Sequence, residues 1–299
     1  MKKILPLILT GGIIITGIFV IPLGSVNIPI KYIFSPEKAP DYAKTIIYNI
    51  RLPRIVMSIL IGMMLSSSGT VVQTVFQNPL ADPYIIGITA SAAFGAVIAF
   101  IFNLPDFMYG VLAFITSLAA AFTIFKISKR GNRVNVTSLL IIGTAVSSFL
   151  GAFTSFAVYL IGEDSFKITM WMMGYLGNAS WKKVLCIFPP LIFSIGYFYS
   201  KRNELDALLS GDEEAYSLGV DVDRLKTRIL AVSVLLVAFS TAFSGMIGFA
   251  GLIVPHIIRM ITGDSNSRLL PNTILAGGLF LLICDTAGRT LFAPVEIPI

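Results

Sequence analysis

The sequence is poor in charged residues, cysteine and histidine. Only 13% of its 299 residues are Asp, Glu, Lys or Arg, whereas 56% are hydrophobic and the mean hydropathy is +0.85. A soluble domain carries about 25% charged residues, so this composition excludes an ordinary globular protein. Both cysteines lie in apolar segments, which argues against a disulfide framework. The single histidine has no carboxylate or thiolate near it in sequence, so no metal site is indicated.

Catalytic motifs are lacking as well. No phosphate-binding loop of the form G-x-x-x-x-G-K-S/T occurs, so we do not expect the chain to hydrolyse ATP itself. No nucleophile–base pairing or metal-ligand spacing is visible, and we predict no enzyme activity, no cofactor and no metal on this chain. The net charge of +6 contains no basic tract with interleaved aromatics. It therefore indicates loops at a membrane surface rather than nucleic-acid binding.

The sequence does contain a series of long apolar runs. A spanning helix needs about 20 mostly apolar residues. By that rule we predict one all-α, polytopic membrane domain over residues 1–299, in which 201–226 is a cytoplasmic polar region. The predicted spans fall at approximately 4–21, 55–76, 84–102, 107–126, 136–161, 184–200, 227–249, 251–262 and 270–292.

One loop sets the predicted orientation. Residues 126–133 contain four basic and no acidic side chains, and such loops stay in the cytoplasm. The N-terminus, with Lys2 and Lys3, is then also cytoplasmic. The segments 22–54 and 162–183 fall outside.

A polar loop with two prolines, residues 76–83, separates the second and third apolar runs. Pro79 and Pro83 restrain the residues before them, so Asn78 and Asp82 cannot continue a helix. Non-helical backbone is tolerated at membrane depth only where protein or a water-filled cavity covers it. The loop indicates a gate, although an ordinary helix-terminating turn would also explain the prolines.

Arginines mark the outer ends of two predicted spans. Arg51 and Arg54 flank Pro53, and Arg289 adds a third positive charge on the same face. Arginine stays charged and pairs bidentately with carboxylates, which suits docking of an acidic patch on a soluble partner. From spacing alone, snorkelling towards lipid headgroups is an equally good explanation.

The cytoplasmic stretch 209–219 is predicted to form a short helix. Acidic residues lie in its first turn, where the helix dipole favours them, and Gly219 is a suitable C-terminal stop. Ala215 and Leu218 give the helix an apolar edge that needs a partner. The alternative is a surface helix that rests on the bundle.

Taken together, these motifs resemble the FecCD/BtuC-type permeases. These are the membrane subunits of ABC importers for iron–siderophore complexes, haem, cobalamin and, in some members, oxyanions such as molybdate. The resemblance extends from about residue 45 to the C-terminus. The motifs that carry it are Arg-Leu-Pro-Arg at 51–54, Gln-Asn-Pro-Leu-Ala-Asp-Pro at 77–83, Trp-Met-Met-Gly at 171–174, the stretch 211–219, and Gly-Leu-Ile-Val-Pro-His at 251–256.

The resemblance implies an assembly. Subunits of this kind have ten spans and form a homodimer in the bacterial or archaeal plasma (inner) membrane. The dimer rests on two ATP-binding subunits, which would hold ATP and Mg²⁺, and an extracytoplasmic substrate-binding protein covers its outer face. The family pattern predicts that a tenth helix would follow the last residue of this sequence.

The resemblance also assigns roles to three sets of residues. Docking of the binding protein is expected at Arg51, Arg54 and Arg289. The cytoplasmic gate is expected at Asn78, Leu80, Thr137 and Ser138. Coupling to the ATPase is expected at Gly211, Asp212, Glu213, Glu214, Ala215, Leu218 and Gly219.

The function expected from these assignments is import of an iron complex, either a ferric siderophore or haem, or a related metal chelate. Cobalamin and molybdate import are alternatives within the same family. A secondary transporter with broken helices is the alternative from another class. Such a transporter would need neither an ATPase nor outward-facing arginines.

Overall fold

The computed structural model describes residues 4–24, 26, 28–29, 31–34, 36–130, 133–134, 136–293 and 295–298. The prediction for Lys2 and Lys3 lies outside the described residues.

Within this part of the chain the fold is helical, which confirms the predicted all-α class. The only strands described are β1 (Lys129–Arg130) and β2 (Arg133–Val134), a two-residue antiparallel pair that connects α6 to α7. The helices are α1 (Leu5–Val20), α2 (Lys31–Phe34), α3 (Asp41–Thr45), α4 (Leu52–Val75), α5 (Ile88–Ile101), α6 (Phe107–Ser128), α7 (Val136–Ile161), α8 (Phe166–Met172), α9 (Trp181–Ser200), α10 (Arg202–Leu208), α11 (Asp212–Ser217), α12 (Val222–Ser244), α13 (Ala250–Thr262) and α14 (Asn266–Thr290).

Each predicted apolar run corresponds to a helix. Six helical segments are long and apolar enough to cross a membrane, whereas α1, α5 and α13 are shorter apolar helices. Ten spans remain a prediction. The six long segments are Asp41–Val75, α6, α7, α9, α12 and α14.

The second span begins earlier than predicted because the helix continues through Pro53. A π-helical turn, Ile46–Arg51, lies between α3 and α4 and ends just before this proline. A proline ring clashes with the carbonyl four residues earlier in a regular helix. The wider π turn changes the register there, and such turns are frequent at functional sites.

Helix α4 lies at the centre of the bundle and is buried along most of its length. It packs against α9, α12, α13 and α14, while α5 packs between α6 and α7, and α1 lies on α14. Small residues bring the backbones together: a Cβ atom at Gly62 would overlap the carbonyl of Gly277, and one at Gly69 would overlap that of Gly251. Small residues at helix contacts are typical of close packing between membrane helices.

Two non-helical segments interrupt the bundle. Residues 76–82 follow α4, and residues 245–249 separate α12 from α13. The segments adopt left-handed backbone at Gln77 (φ 48°) and Phe249 (φ 64°). They also come close to each other, because Pro83 packs against Gly251. The predicted spans 227–249 and 251–262 are thus separate helices, and the first of them ends at Ser244, earlier than predicted.

Candidate functional site

The three predicted docking arginines gather with two carboxylates in one cluster. This arginine cluster consists of Arg51, Arg54, Asp285, Arg289 and Glu296. Arg54 Nη2 lies 2.9 Å from Asp285 Oδ1, and its Nε donates to both carboxylate oxygens at 3.0 and 3.1 Å. Arg54 Nη1 lies 2.8 Å from Glu296 Oε2. One guanidinium group thus joins α4 to α14 and to the segment after α14.

The other two arginines hold the end of α1. Arg51 donates to the carbonyls of Ile21 (2.6 Å) and Val26, and Arg289 Nη2 donates to Val20 O at 3.0 Å. The last carbonyls of a helix have no partner within the helix, and cations at this end are favoured by its dipole. The arginines therefore fasten α1 to α4 and α14.

The expectation that the guanidinium groups face outward is wrong for this chain. Arg51, Arg54 and Arg289 are only 5–6% exposed. The physical reason is that Asp285 and Glu296 fold onto the cluster and satisfy Arg54 from within the chain. The ring of Tyr175, 5.7 Å from the Arg54 guanidinium carbon, covers it further. Their role in binding-protein docking stays a prediction.

The predicted ATPase-coupling residues form an exposed segment, 211–219, which we call the coupling segment. Gly211 (φ 121°) and Gly219 (φ 83°) bracket α11 with backbone that favours glycine. Ala215 is fully buried and anchors the helix, whereas Leu218 is 72% exposed. Of the two residues of the predicted apolar edge, Ala215 thus packs on the bundle and Leu218 faces the solvent.

The acidic residues of the coupling segment differ in their contacts. Asp212 Oδ1 accepts a hydrogen bond from Lys226 Nζ at 2.7 Å, which ties α11 to α12. Glu213 and Glu214 are exposed, and neither forms an ion pair with any residue that the structure describes. The segment therefore offers one apolar side chain and two free carboxylates to a partner.

The predicted gate residues in the loop 76–83 lie at the surface. Asn78 Oδ1 accepts from the backbone N–H of Leu80 at 2.9 Å, which stabilises the turn before Pro79, and Leu80 itself is 66% exposed. Asp82 Oδ1 accepts from the N–H of Tyr84 at 2.7 Å and caps the 3₁₀ turn Pro83–Ile86. Burial raises the pKa of the Asp82 carboxyl above its ordinary value.

The other two gate residues begin α7. Thr137 is exposed and Ser138 is partly buried. Just beyond the loop, Gly87 packs against α7, and a Cβ atom placed there would lie 3.4 Å from the carbonyl of Gly143. The structure thus brings the continuation of the loop onto α7, the helix that Thr137 and Ser138 open.

Two polar links that sequence reasoning missed connect the loop and α14 to α10, which precedes the coupling segment. Gln77 Nε2 donates to Leu208 O at 2.6 Å. Asp206 accepts from Ser265 Oγ (2.9 Å), Asn266 N (2.6 Å) and Asn266 Nδ2 (2.9 Å), and so caps the start of α14. Ser265, the residue at the N-cap position of α14, makes no capping hydrogen bond to the helix itself.

The site contains no catalytic constellation among the residues described. No group of three His, Cys, Asp or Glu side chains in that part of the chain is placed to hold a metal ion. What the geometry can do is mechanical, because exposed residues of the coupling segment and of the loop 76–83 are joined by hydrogen bonds to the helices of the bundle.

Comparisons with known proteins agree with this arrangement. Residues 12–299 match the FecCD transport family. The chain is 41% identical to the cobalamin import system permease BtuC of Halobacterium salinarum, over 84% of this chain and 68% of the relative. It is 40% identical to the hemin transport system permease HmuU of Yersinia pestis (84% and 77%), and 34% identical to the molybdate import system permease MolB of Haemophilus influenzae (85% and 76%).

Solved structures show the same likeness. A structure described as an inward-facing metal-chelate type ABC transporter superposes with a TM-score of 0.89 at 32% identity, covering 100% of this chain and 94% of the other. PsaBC from Streptococcus pneumoniae, solved with a Fab, has a TM-score of 0.56 at 15% identity, over 86% and 84% of the two chains, which is a likeness of fold alone. The helical bundle, its broken segments and these matches establish that the chain belongs to the FecCD transport family and is the permease subunit of an ABC importer.

Proposed function

We propose that this permease imports a metal chelate, either a ferric siderophore or haem, as a homodimer driven by two separate ATP-binding subunits. A substrate-binding protein hands the chelate over at the outer face. The observation that carries the proposal is the coupling segment, in which Glu213, Glu214 and Leu218 are exposed and which is linked through α10 to the gate loop. ATP and Mg²⁺ belong to the ATPase subunits in this scheme.

Force from the ATPase has a defined route in this proposal. A partner that binds Leu218 and the carboxylates of Glu213 and Glu214 would move α11 together with α10 and α12. The hydrogen bond from Gln77 to Leu208 carries that movement to the loop that holds Asn78 and Leu80. Opening and closing of the gate around Asn78, Leu80, Thr137 and Ser138 then follows the nucleotide cycle.

The surface of α7 supports a homodimer with a polar path between the subunits. Of the six long apolar segments, α7 is the least buried within this single chain. One face exposes hydroxyl groups at a helical spacing, on Thr137, Thr144, Ser148 and Ser155. Thr144 Oγ1 donates to Ile141 O of its own helix at 2.9 Å, but lipid offers these hydroxyl groups no further hydrogen-bond partner, whereas a second subunit or a water-filled path does. We assign this face to the dimer interface and the translocation path.

Docking of the binding protein is proposed at the surface around the arginine cluster. The cluster contains three cations and two carboxylates, so one positive charge is in excess. A glutamate of a binding protein could compete with Glu296, whose side chain is 33% exposed, for Arg54. Docking by this route would break the contact between Arg54 and Glu296 and loosen the segment after α14. Binding of the partner would thereby change contacts within the membrane domain.

The substrate class rests on the relatives and on the lining of the path. Proteins 34–41% identical to this chain are named for hemin, cobalamin and molybdate import. Small hydroxyl and apolar side chains along α7 suit passage of a large chelate, with specificity set by the binding protein. Cobalamin is the second candidate, because the relative named for it is 41% identical to this chain.

Reconstitution tests the proposal. The permease would be purified with its ATPase, placed in vesicles, and supplied with the binding protein and haem, a ferric siderophore, cobalamin or molybdate. We expect uptake and stimulated ATP turnover with one iron chelate. Uptake of cobalamin or molybdate instead would replace the substrate assignment. Uptake driven by an ion gradient without the ATPase would favour a secondary transporter.

A further inference from the structure

A cavity outside the proposed path is lined by aromatic rings and one free ammonium group. It measures about 820 Å³ and lies between α6, α8 and α12, next to the first turn of α9. The rings of Phe114 and Phe239, 4.8 Å apart, form part of its wall, together with Phe243. Lys183, from the first turn of α9, also lines it.

The position of the cavity is at the membrane surface. It is lined by residues near the starts of α6 and α9 and the end of α12, where these helices leave the membrane. Trp181 Nε1 donates to Tyr48 O at 2.8 Å, which puts this end of α9 level with the π turn before α4. Tryptophans are enriched at that depth, level with the lipid headgroups.

The charges around the cavity do not cancel. Lys167 lies 2.7 Å from Asp106, so those two neutralise each other at the rim. Lys183 is half-buried, and its ammonium group has no hydrogen bond or ion pair with any residue in the described part of the chain. A half-buried cation without a partner is costly, so this one is placed to bind an anion.

The surroundings indicate what kind of anion binds. Phe107 and Val111 line the cavity and are exposed, and on α9 Leu185 and Phe188 are exposed close by in sequence. In a membrane these side chains face acyl chains. A ligand that fits must therefore have an anionic head at Lys183 and an apolar body among the phenylalanines.

We propose that this cavity binds an anionic phospholipid of the surrounding bilayer, with its phosphate at Lys183 and an acyl chain between α6 and α9. The lipid would fill the gap where α6 and α9 both pack on α12. The binding surface is separate from the hydroxyl-bearing face of α7, and it meets the arginine cluster at Tyr175, which lines the cavity and also covers Arg54. The inference therefore does not depend on which substrate the permease carries.

The tryptophan that lines the cavity, Trp171, provides the test. The chain has two tryptophans, so Trp181→Phe leaves Trp171, which lines the cavity, as the only one. The full chain would be placed in phosphatidylcholine vesicles that contain a minority of lipid with brominated acyl chains, which quench tryptophan on contact. We expect brominated phosphatidylglycerol to quench Trp171 several-fold more than brominated phosphatidylcholine does.

Variants test whether the preference for phosphatidylglycerol depends on the amine of Lys183. Lys183→Gln should abolish the preference for phosphatidylglycerol, whereas Lys182→Gln, an exposed neighbour of the same charge, should retain it. Lys183→Arg should also retain it, which keeps the test decisive if Lys183→Gln fails to fold. Equal quenching by the two lipids in the Trp181→Phe protein, or a preference that survives Lys183→Gln, would overturn the proposal. Loss of the quenching on addition of inorganic phosphate would assign the amine to a free anion instead of a lipid.

Discussion

The arginine cluster and the coupling segment are both rich in charge, yet the chain treats them in opposite ways. In the cluster, three guanidinium groups are buried and bind partners from their own chain. In the coupling segment, Glu213, Glu214 and Leu218 are exposed. Burial of an ion requires a partner, because desolvation costs several kcal/mol, whereas an exposed carboxylate costs little. The charges of the arginine cluster thus hold helices together, whereas Glu213 and Glu214 of the coupling segment remain available to bind a partner.

This contrast changes what the sequence motif means. The same pair of arginines that could dock a soluble partner also holds α1, α4 and α14 together. A charge reversal at Arg51 or Arg54 would damage the bundle and the docking surface at once. The coupling segment allows a cleaner experiment, because Glu213, Glu214 and Leu218 can be changed without removing an ion pair or a side-chain hydrogen bond among the described residues.

The largest effect is expected from Arg54→Ala. The change leaves Asp285 buried without its cation, and breaking a buried pair in this way costs about 3–5 kcal/mol. Thermal or denaturant unfolding of the purified protein should show this loss. Arg268→Ala, an exposed arginine at the other end of α14, is the matched control and should be nearly neutral. Equal stability of the two variants would mean that the cluster does not hold the bundle together.

Asp206→Ala should have a smaller effect on stability. It removes the acceptor that caps α14, and loss of an N-cap typically costs about 1 kcal/mol. Glu204→Gln, on the same helix but paired only with nearby Lys201, serves as the control. We also expect Asp206→Ala to reduce stimulation of ATP turnover by the binding protein, since the link from α10 to α14 is lost. Unchanged stimulation would remove Asp206 from the coupling route.

Leu218→Asp should leave stability within about 0.5 kcal/mol, as is usual for surface changes. The expected consequence lies in assembly: the ATPase should no longer co-purify with the permease. Leu291→Asp is the same change at a residue of equal exposure, 71% against 72%, outside the coupling segment. A complex that survives Leu218→Asp, or is lost equally with Leu291→Asp, would contradict the docking role.

The smallest effect concerns pH. Burial raises the pKa of Asp82 above the ordinary 3.8, so the folded state favours the neutral carboxyl. This carboxyl favours folding most at low pH, and its contribution falls as pH rises from 3.8 through the raised folded pKa. Asp82→Asn retains an oxygen for the Tyr84 N–H and removes the titration. Its unfolding temperature should depend less on pH over that interval than the parent's, and an identical pH profile would rule the effect out.

Most of the helices are predictable from the length of the apolar runs alone. In lipid the backbone N–H and C=O groups must form hydrogen bonds within the segment, which favours a helix. The start of the second span was missed by about 14 residues, since Pro53 suggests a boundary unless the π turn before it is known. The burial of the arginines could not be predicted from local sequence. The carboxylates that pair with Arg54 are 231 and 242 residues away along the chain. The apolar edge of the coupling segment, by contrast, is a local pattern, but the burial of Ala215 and the exposure of Leu218 depend on how α11 packs on the bundle.

The glycine contacts of α4 limit how this permease can move. Because Gly62 and Gly69 meet the backbones of α14 and α13 with no side chain between them, sliding of these helices would bring bulkier residues into the seam. Tight seams of this kind resist shear, so we expect α4, α13 and α14 to move together. The opening and closing that we propose for the gate must then come from displacement of other helices relative to these three. We expect α7, which packs on α5 and α6, to be one of the helices that move.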